Sequence, residues 1–551
     1  MRFFFITVIT CLATLAATAQ QRTCLLYLKD KGPEQFSAHS LYGISPRAIE
    51  RHRRYGIPLS ETDLPVSATY RNVIQDSGLQ IGFSSRWLNC VLVQTALTPE
   101  EIRTRFTFVV HVQVLPDAPV QPTARNKFVL PAPTAASAAF APAVATSYGA
   151  TETQNKQLHA DCLHDQGYTG KNVLIAQFDT GFLGVDTISA YDSIYMENRM
   201  VATRNFVNPP LSVYSNDLHG SMVFSTMAGN RPGSFVGIAT GASYALAITE
   251  NLGSETHQEE LNWLAAAEWA DSLGADIIQS SLSYKTFDNG EGDYTDNLLD
   301  GKTAIITNAA RMAAGKGILV VNSAGNDGNL PAPLSRRVAA PNDADSILSV
   351  GSVMSTGQYD PISSVGPTAD GRIKPDVVAM GDNSSLLNNR GTVVQFGGTS
   401  FAAPLISGLA ACLMQANPQR AWWEIQRAIV VSASQVNTPD NFKGFGIPNA
   451  CRADSLLKTY NGVDHLNADA LKSKLRVYPS PATRMVQLDV LDPSVKVSDV
   501  EVMDETGRVV PVELTTRMQG YVVLLDGLAP GMYLLRLRAA QVPVSFRLVK
   551  Y

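Results

Sequence analysis

Two periodicities divide the chain. Between about residues 148 and 460, short continuous apolar runs alternate with longer stretches in which apolar positions recur every three or four residues. The runs are Val173 to Phe178, Tyr244 to Ile248, Ile277-Ile278, Ile318 to Val321 and Ile347 to Val350. The helical stretches run from about Glu259 to Leu273, with Leu261, Leu264, Ala265 and Trp269 on one face, from Thr303 to Lys316, and onward from Ser400. Strands that are apolar on both sides, separated by helices, predict an α/β fold: a mainly parallel sheet with helices on both faces. From about Lys474 the period drops to two, in Val486, Leu488, Val490, then Val500, Val502, then Tyr521 to Leu525, Tyr533 to Leu537 and Val544 to Val549. That alternation predicts a small antiparallel β-sandwich over 474–551.

Ahead of the α/β region, residues 20–120 read as a separate small α/β unit. It has strands at Leu25 to Leu28, Val91 to Val93 and Phe108 to Val112, a basic helix from Pro46 to Tyr55, and a helix start at Thr98-Pro99-Glu100-Glu101. The basic run Arg51 to Arg54 reads as a solvated helix face. Residues 121–147 are rich in Pro and Ala, have little to pack, and read as an exposed linker. Residues 1–19 have the form of a signal peptide: Arg2, a short apolar run, then Ala17-Thr18-Ala19 as a small-x-small cleavage site.

Length and composition narrow the classes. A chain of 551 residues holds two to four domains, and 45% hydrophobic with 17% charged residues is ordinary for a globular protein. A net charge of -5, with no long basic run and no zinc-finger spacing, gives no nucleic-acid partner. Of the six cysteines, Cys11 lies in the signal segment. An odd number, Cys24, Cys90, Cys162, Cys412 and Cys451, remains, and these cannot all pair within one chain.

Candidate chemistry sits at element ends. Asp179 closes an apolar strand in Asp-Thr-Gly, where open parallel sheets carry their functional residues. His219 opens a helix in Asp217-Leu218-His219-Gly220-Ser221. Ser400 lies in Gly397-Gly398-Thr399-Ser400-Phe401-Ala402-Ala403-Pro404, a glycine turn into a helix whose N-terminal N–H groups favour developing negative charge. Pro404 is expected in the first turn of that helix, where its missing N–H costs nothing. A serine hydroxyl needs a base to take its proton, histidine titrates near neutrality, and an aspartate fixes the ring tautomer. The order Asp, His, Ser is one of the orders known for this geometry. Asn326, in Ser323-Ala324-Gly325-Asn326 after another strand, offers a side-chain amide to an oxyanion, with the backbone N–H of Ser400 as second donor.

These segments resemble the subtilisin-like (subtilase) serine proteases over roughly residues 148 to 455. The resemblance rests on Asp179-Thr180-Gly181, His219-Gly220-Ser221, Ala324-Gly325-Asn326, Gly398 to Pro404, and Gly371 to Ala379. It implies a subtilisin-like catalytic domain, 148–460, with Asp179, His219 and Ser400 as triad and Asn326 in the oxyanion hole. It also implies Ser281, Leu282 and Ser283 as the substrate-binding edge along which a peptide adds as a strand. Ser283 stands where the family has glycine, and Asp327 adds negative charge beside Asn326. No cofactor is required. Structural calcium, common in the family, is left unassigned, with Asp288 to Asp293 the best loop. Residues 20–120 resemble the propeptide region of secreted Bacteroidetes subtilases. Residues 474–551 resemble the type IX secretion sorting domain, through Val477-Tyr478-Pro479, Asp504 to Arg508 and Gly527 to Tyr533. The implied partners are polypeptide substrates, the chain's own propeptide and the type IX secretion machinery, with a secreted or surface location. Two rivals remain open: a binding protein that kept the fold without catalysis, and a protease confined to processing itself.

Overall fold

A computed structural model describes residues 21–33, 43–116, 148–459 except 216, 291 and 333, then 472, 474–479, 482–491, 495, 497–504, 508–517, 520–539 and 542–550. The expected signal segment, 1–19, and linker, 121–147, lie outside them.

Seven strands make the central sheet, in the order Val377–Met380, Leu348–Val353, Leu319–Ser323, Ile277–Ser280, Leu174–Asp179, Ser243–Ile248, Met200–Asn205. Every neighbouring pair is parallel. The register explains the unbroken apolar runs. Ile175, Ile277, Leu319 and Val321 face one core with the helices His219–Ala228 and Thr399–Ala416. Leu174, Ala176, Phe178, Ile278, Ile318 and Val320 face a second core with the helices His257–Leu273 and Ile305–Gly315. Thr256 and Glu259 cap the start of His257–Leu273 reciprocally, and Gly274 ends it at φ 83°, a left-handed conformation that suits glycine.

The N-terminal unit is a four-stranded antiparallel sheet in the order Ile81–Ser85, Cys90–Thr95, Arg22–Leu28, Val109–Leu115. Helices Ala68–Asp76 and Pro99–Arg105 contribute Ile74 and Ile102 to its core. Its third helix, Pro46–Tyr55, corrects the sequence reading. Arg51 and His52 are buried rather than solvated. The Arg51 guanidinium, 2% exposed, bonds Asp271 and donates to the carbonyls of Ala275 at 2.7 Å and Lys316 at 3.0 Å. Arg47 bonds Asp276, Arg86 reaches Asp271 Oδ2 at 2.7 Å, and Lys316 reaches Asp63 at 2.5 Å. Glu268 accepts from Ser85 Oγ at 2.5 Å and from the backbone N–H of Trp87 at 3.1 Å, while burial pushes its carboxyl up. Trp87 itself joins the apolar cluster that contains Phe178 and Trp263. One helix's charge pattern cannot reveal carboxylates that another domain brings to it.

His257 stands among Glu255, Glu259 and Glu260, a sequence setting that suggests solvated helix-start charge, but it is buried: its Nδ1 lies 2.5 Å from Glu260 Oε2, and its ring packs on Phe287 with centroids 3.9 Å apart. Cys162 and Cys451 form a disulfide, leaving Cys24, Cys90 and Cys412 as buried thiols.

Described by itself, the C-terminal unit is a sandwich of two four-stranded antiparallel sheets. One runs Leu475–Tyr478, Met485–Val490, Gly520–Leu524, Glu513–Arg517, and the other Val509–Val510, Val497–Asp504, Gly531–Ala539, Val542–Lys550. Val486, Val502, Val523, Leu535 and Leu548 meet between them. The residues facing outward are more polar, hence the period of two.

Candidate active site

Asp179 is the last residue of a central strand and has no exposed surface. Its Oδ1 accepts from Thr180 N at 2.8 Å, from Thr180 Oγ1 at 3.2 Å and from His219 Nδ1 at 2.6 Å. His219, 2% exposed, is the first residue of its helix, and its backbone N–H donates to Asp217 Oδ1 at 2.6 Å. Glycine follows for a steric reason: a Cβ on Gly220 would sit 2.3 Å from Gly181 O and 2.8 Å from Asp179 Cβ. Burial alone would lower the imidazole's pKa. The attraction and hydrogen bond of Asp179, with Asp217 and Glu250 beyond it, outweigh that and hold it above the ordinary histidine value. Because Nδ1–H points at the carboxylate, the lone pair of the neutral ring is on Nε2.

Ser400, 4% exposed, lies in the first turn of Thr399–Ala416. Gly398 before it has φ 150°, a conformation that favours glycine. Phe401 packs beside the imidazole with ring centroids 6.0 Å apart, so the two helix starts carry serine and histidine to the same end of the sheet. The serine hydroxyl makes no hydrogen bond to a described residue. Such contacts are often loose in free enzymes and tighten when substrate binds. Pro404 is not in the first turn as expected but inside the helix, where the carbonyl four residues back, that of Ser400, loses its intrahelical donor. Ser281 Oγ donates to that carbonyl at 2.9 Å.

Asn326 Oδ1 accepts from Thr399 N at 3.0 Å and Thr399 Oγ1 at 2.9 Å. A backbone N–H can only donate, so the amide is oriented with Nδ2 outward, and a Cβ on Gly398 would lie 3.7 Å from it. The Ser281 to Ser283 segment follows the strand Ile277–Ser280 directly. Leu282 is buried, its carbonyl held by Asn322 Nδ2 at 2.8 Å, and Tyr284 bridges to Ala340. Asp327 faces a buried setting that pushes its carboxyl up, opposed by Lys285. The sequence offered no signal for Glu250, a buried carboxylate bonded by the Tyr284 hydroxyl.

In the Asp288 to Asp293 loop, Asp288 accepts from Glu255 N at 3.0 Å and Asp293 from Phe287 N at 2.7 Å. Among the described residues no three His, Cys, Asp or Glu side chains are grouped to hold a metal. His164 lies between Tyr148 Oη at 2.6 Å and Ile238 O at 2.8 Å.

Comparison with known proteins gives three family matches. The subtilase family matches residues 170–446, a Bacteroidota peptidase S8 propeptide domain matches 23–128, and a secretion system C-terminal sorting domain matches 476–550. Subtilisin NAT of Bacillus subtilis subsp. natto is 31% identical over 265 residues, covering 48% of this chain and 60% of its own length. Subtilisin of Bacillus pumilus is 30% identical over 265 residues, covering 48% of this chain and 84% of its own length. The solved structure of MycP1 with its N-terminal propeptide removed is 23% identical, covering 55% of this chain and 96% of that one, with a TM-score of 0.43. The chain spans 60% of the length of relatives such as subtilisin NAT and subtilisin E. Its C-terminal sorting domain marks it for secretion or surface display through the outer membrane.

Proposed function

This chain belongs to the subtilase family, and from that premise we propose that it is a secreted serine endopeptidase whose triad is Asp179, His219 and Ser400. The observation that carries the reading is the buried Asp179–His219 pair, 2.6 Å between Oδ1 and Nδ1, at the sheet end where the helix bearing Ser400 begins. Ser400 Oγ attacks the peptide carbonyl carbon as His219 Nε2 takes its proton. Asp179 stabilises the imidazolium without itself being protonated. The oxyanion takes hydrogen bonds from Asn326 Nδ2 and the Ser400 N–H. His219 returns the proton to the leaving amine, the C–N bond breaks, and an acyl-serine remains. Water, deprotonated by the same imidazole, then releases the acid and restores the serine.

Substrate lies as an added strand along Ser281, Leu282 and Ser283. The N-terminal unit acts as propeptide, seated on the core through Arg51, Trp87 and Glu268, and leaves after cleavage within 121–147. The sorting domain engages the type IX secretion machinery. The test is hydrolysis of unfolded casein by the secreted, processed protein. We expect hydrolysis that Ser400→Ala abolishes. Hydrolysis by neither protein, or equally by both, overturns the proposal; cleavage of the chain's own linker with casein untouched would favour self-processing.

A further inference from the structure

We propose that two buried glutamines on adjacent strands, Gln177 and Gln279, are positioning residues that hold the two arms of the triad from beneath. The proposal rests on the triad assignment above. Gln177 and Gln279 are register partners in the parallel pair Leu174–Asp179 and Ile277–Ser280. Both are fully buried. Both project to the sheet face that carries the helices opening with His219 and Ser400, since they share parity with Ile175 and Ile277.

Each reaches a different arm. Gln279 Nε2 donates to Ser281 Oγ at 2.8 Å, and Ser281 Oγ donates to Ser400 O at 2.9 Å. The directions are unambiguous. A carbonyl can only accept, so the serine hydroxyl spends its proton on Ser400 O and faces Gln279 as acceptor; the amide nitrogen must then point at it. This relay supplies the donor that Pro404 removes, and so ties down the backbone of the nucleophile itself. Gln177 Nε2 donates to Gly220 O at 3.0 Å and lies 3.5 Å from Asp179 Oδ2. It thereby holds the first turn of the histidine helix and offers Oδ2 its donor among the described residues.

Packing does not account for these amides. Neither Gln177 Oε1 nor Gln279 Oε1 meets a donor among the described residues, and a buried acceptor left unpaired is costly. Leucine would fill similar space without that cost. What the amides supply is the pair of N–H donors, each aimed at a triad arm.

The two arms fail differently. Loss of Ser281 Oγ or of Gln279 loosens the serine and lowers kcat, leaving KM nearly unchanged because an added substrate strand meets the Ser281 backbone and not its hydroxyl, which is turned inward to Gln279 and Ser400 O. Loss of Gln177 strips a donor from the Asp179 carboxylate, which then attracts the imidazolium more strongly. His219 also faces Asp217 on its own approach turn and Glu250 beyond the strand Ser243–Ile248, and neither changes. The acid limb of the rate profile therefore moves up.

The experiment measures kcat and KM on casein, the rate of fluorophosphonate labelling, and the pH profile of the mature enzyme processed from the full chain. The variants are Ser281→Ala, Ser281→Val, Ser281→Thr, Gln279→Leu, Gln177→Leu and Gln177→Met. We expect Ser281→Ala and Ser281→Val to lose about tenfold in kcat and labelling rate with KM within about twofold, as fits one neutral hydrogen bond. Ser281→Thr, which has valine's shape and keeps the hydroxyl, restores the rate. Gln279→Leu matches Ser281→Ala, and the double variant is no slower than the single. Gln177→Leu or Gln177→Met raises the acid limb by about half a pH unit. Should the glutamine variants fail to fold, the alanine, valine and threonine series still decides the serine arm. Rates and pH profiles within twofold of the unsubstituted enzyme overturn the proposal, as does a Ser281→Val variant as fast as Ser281→Thr. If the unsubstituted enzyme neither labels nor hydrolyses casein, the triad assignment has failed and this inference with it. If it does both and the variants are indifferent, this inference alone has failed.

Discussion

Removing one carboxylate from the seam between the N-terminal unit and the core should speed release of the propeptide without touching catalysis. The perturbation is Asp271→Ala. Asp271 takes Arg51 on Oδ1 and Arg86 on Oδ2, and the side chains of Arg51 and Asp271 are each 2% exposed. Without the carboxylate, Arg51 stays buried with no anion beside it. Breaking such a pair from one side costs about 3–5 kcal/mol. Arg51 keeps two neutral acceptors, Ala275 O and Lys316 O, which places the loss at the lower end, about 3 kcal/mol. That is about a hundredfold in the affinity of the cleaved propeptide. In the mature enzyme the same position faces water, so kcat and KM should be unchanged. The assay dilutes the processed, still inhibited complex into labelled casein and times the rise of hydrolysis. A control, Glu50→Gln, breaks the exposed Arg53 pair on the outer side of the same helix and should leave the lag unaltered. A lag equal to that of the unsubstituted complex, or a parallel fall in the mature enzyme's kcat, would refute the reasoning.

Three other outcomes follow from the site and its frame. Asn326→Ala should lower kcat by about two to three powers of ten with little change in KM, because the amide meets charge that exists only in the transition state; a rise in KM with kcat unchanged would assign it to substrate binding instead. The rate should fall as pH drops through a value above 6.5, since Asp179, Asp217 and Glu250 hold the imidazolium form and the base must be neutral. Asp217→Asn should move that limb down, read from kcat/KM against pH. Cys162→Ser with Cys451→Ser should cost about 2–4 kcal/mol of stability, read as a lower melting temperature than the unsubstituted protein under oxidising conditions.

Much of the architecture was legible because both sheet types write their burial into the sequence. Strands buried on two faces, such as Leu174–Asp179, read as continuous apolar runs, and the sandwich strands read as alternation. The contexts of Asp179, His219 and Ser400 were visible as a strand end and two helix starts. What stayed hidden depends on a second element. Arg51 and His52 look solvated until Asp271 and Lys316 are brought against them. His257 looks like helix-start charge until Phe287 and Tyr294 enclose it. Pro404 looked like a first-turn residue because the rule for helix interiors assumes an unpaired carbonyl, and Ser281, 119 residues upstream of Ser400, pairs it. Gln177 lies inside a run that reads as an apolar strand and Gln279 directly follows another, and nothing local shows which acceptors their amides reach.

The central claim is that Ser400 is made nucleophilic by a base which Asp179 holds in place. It is tested most directly by treating the processed protein with a fluorophosphonate and mapping the adduct by peptide mass spectrometry. The adduct should sit on the peptide containing Ser400, and it should vanish in His219→Ala while that variant keeps its folded melting transition. An adduct on another residue, or labelling of Ser400 that proceeds equally fast without His219, would contradict it.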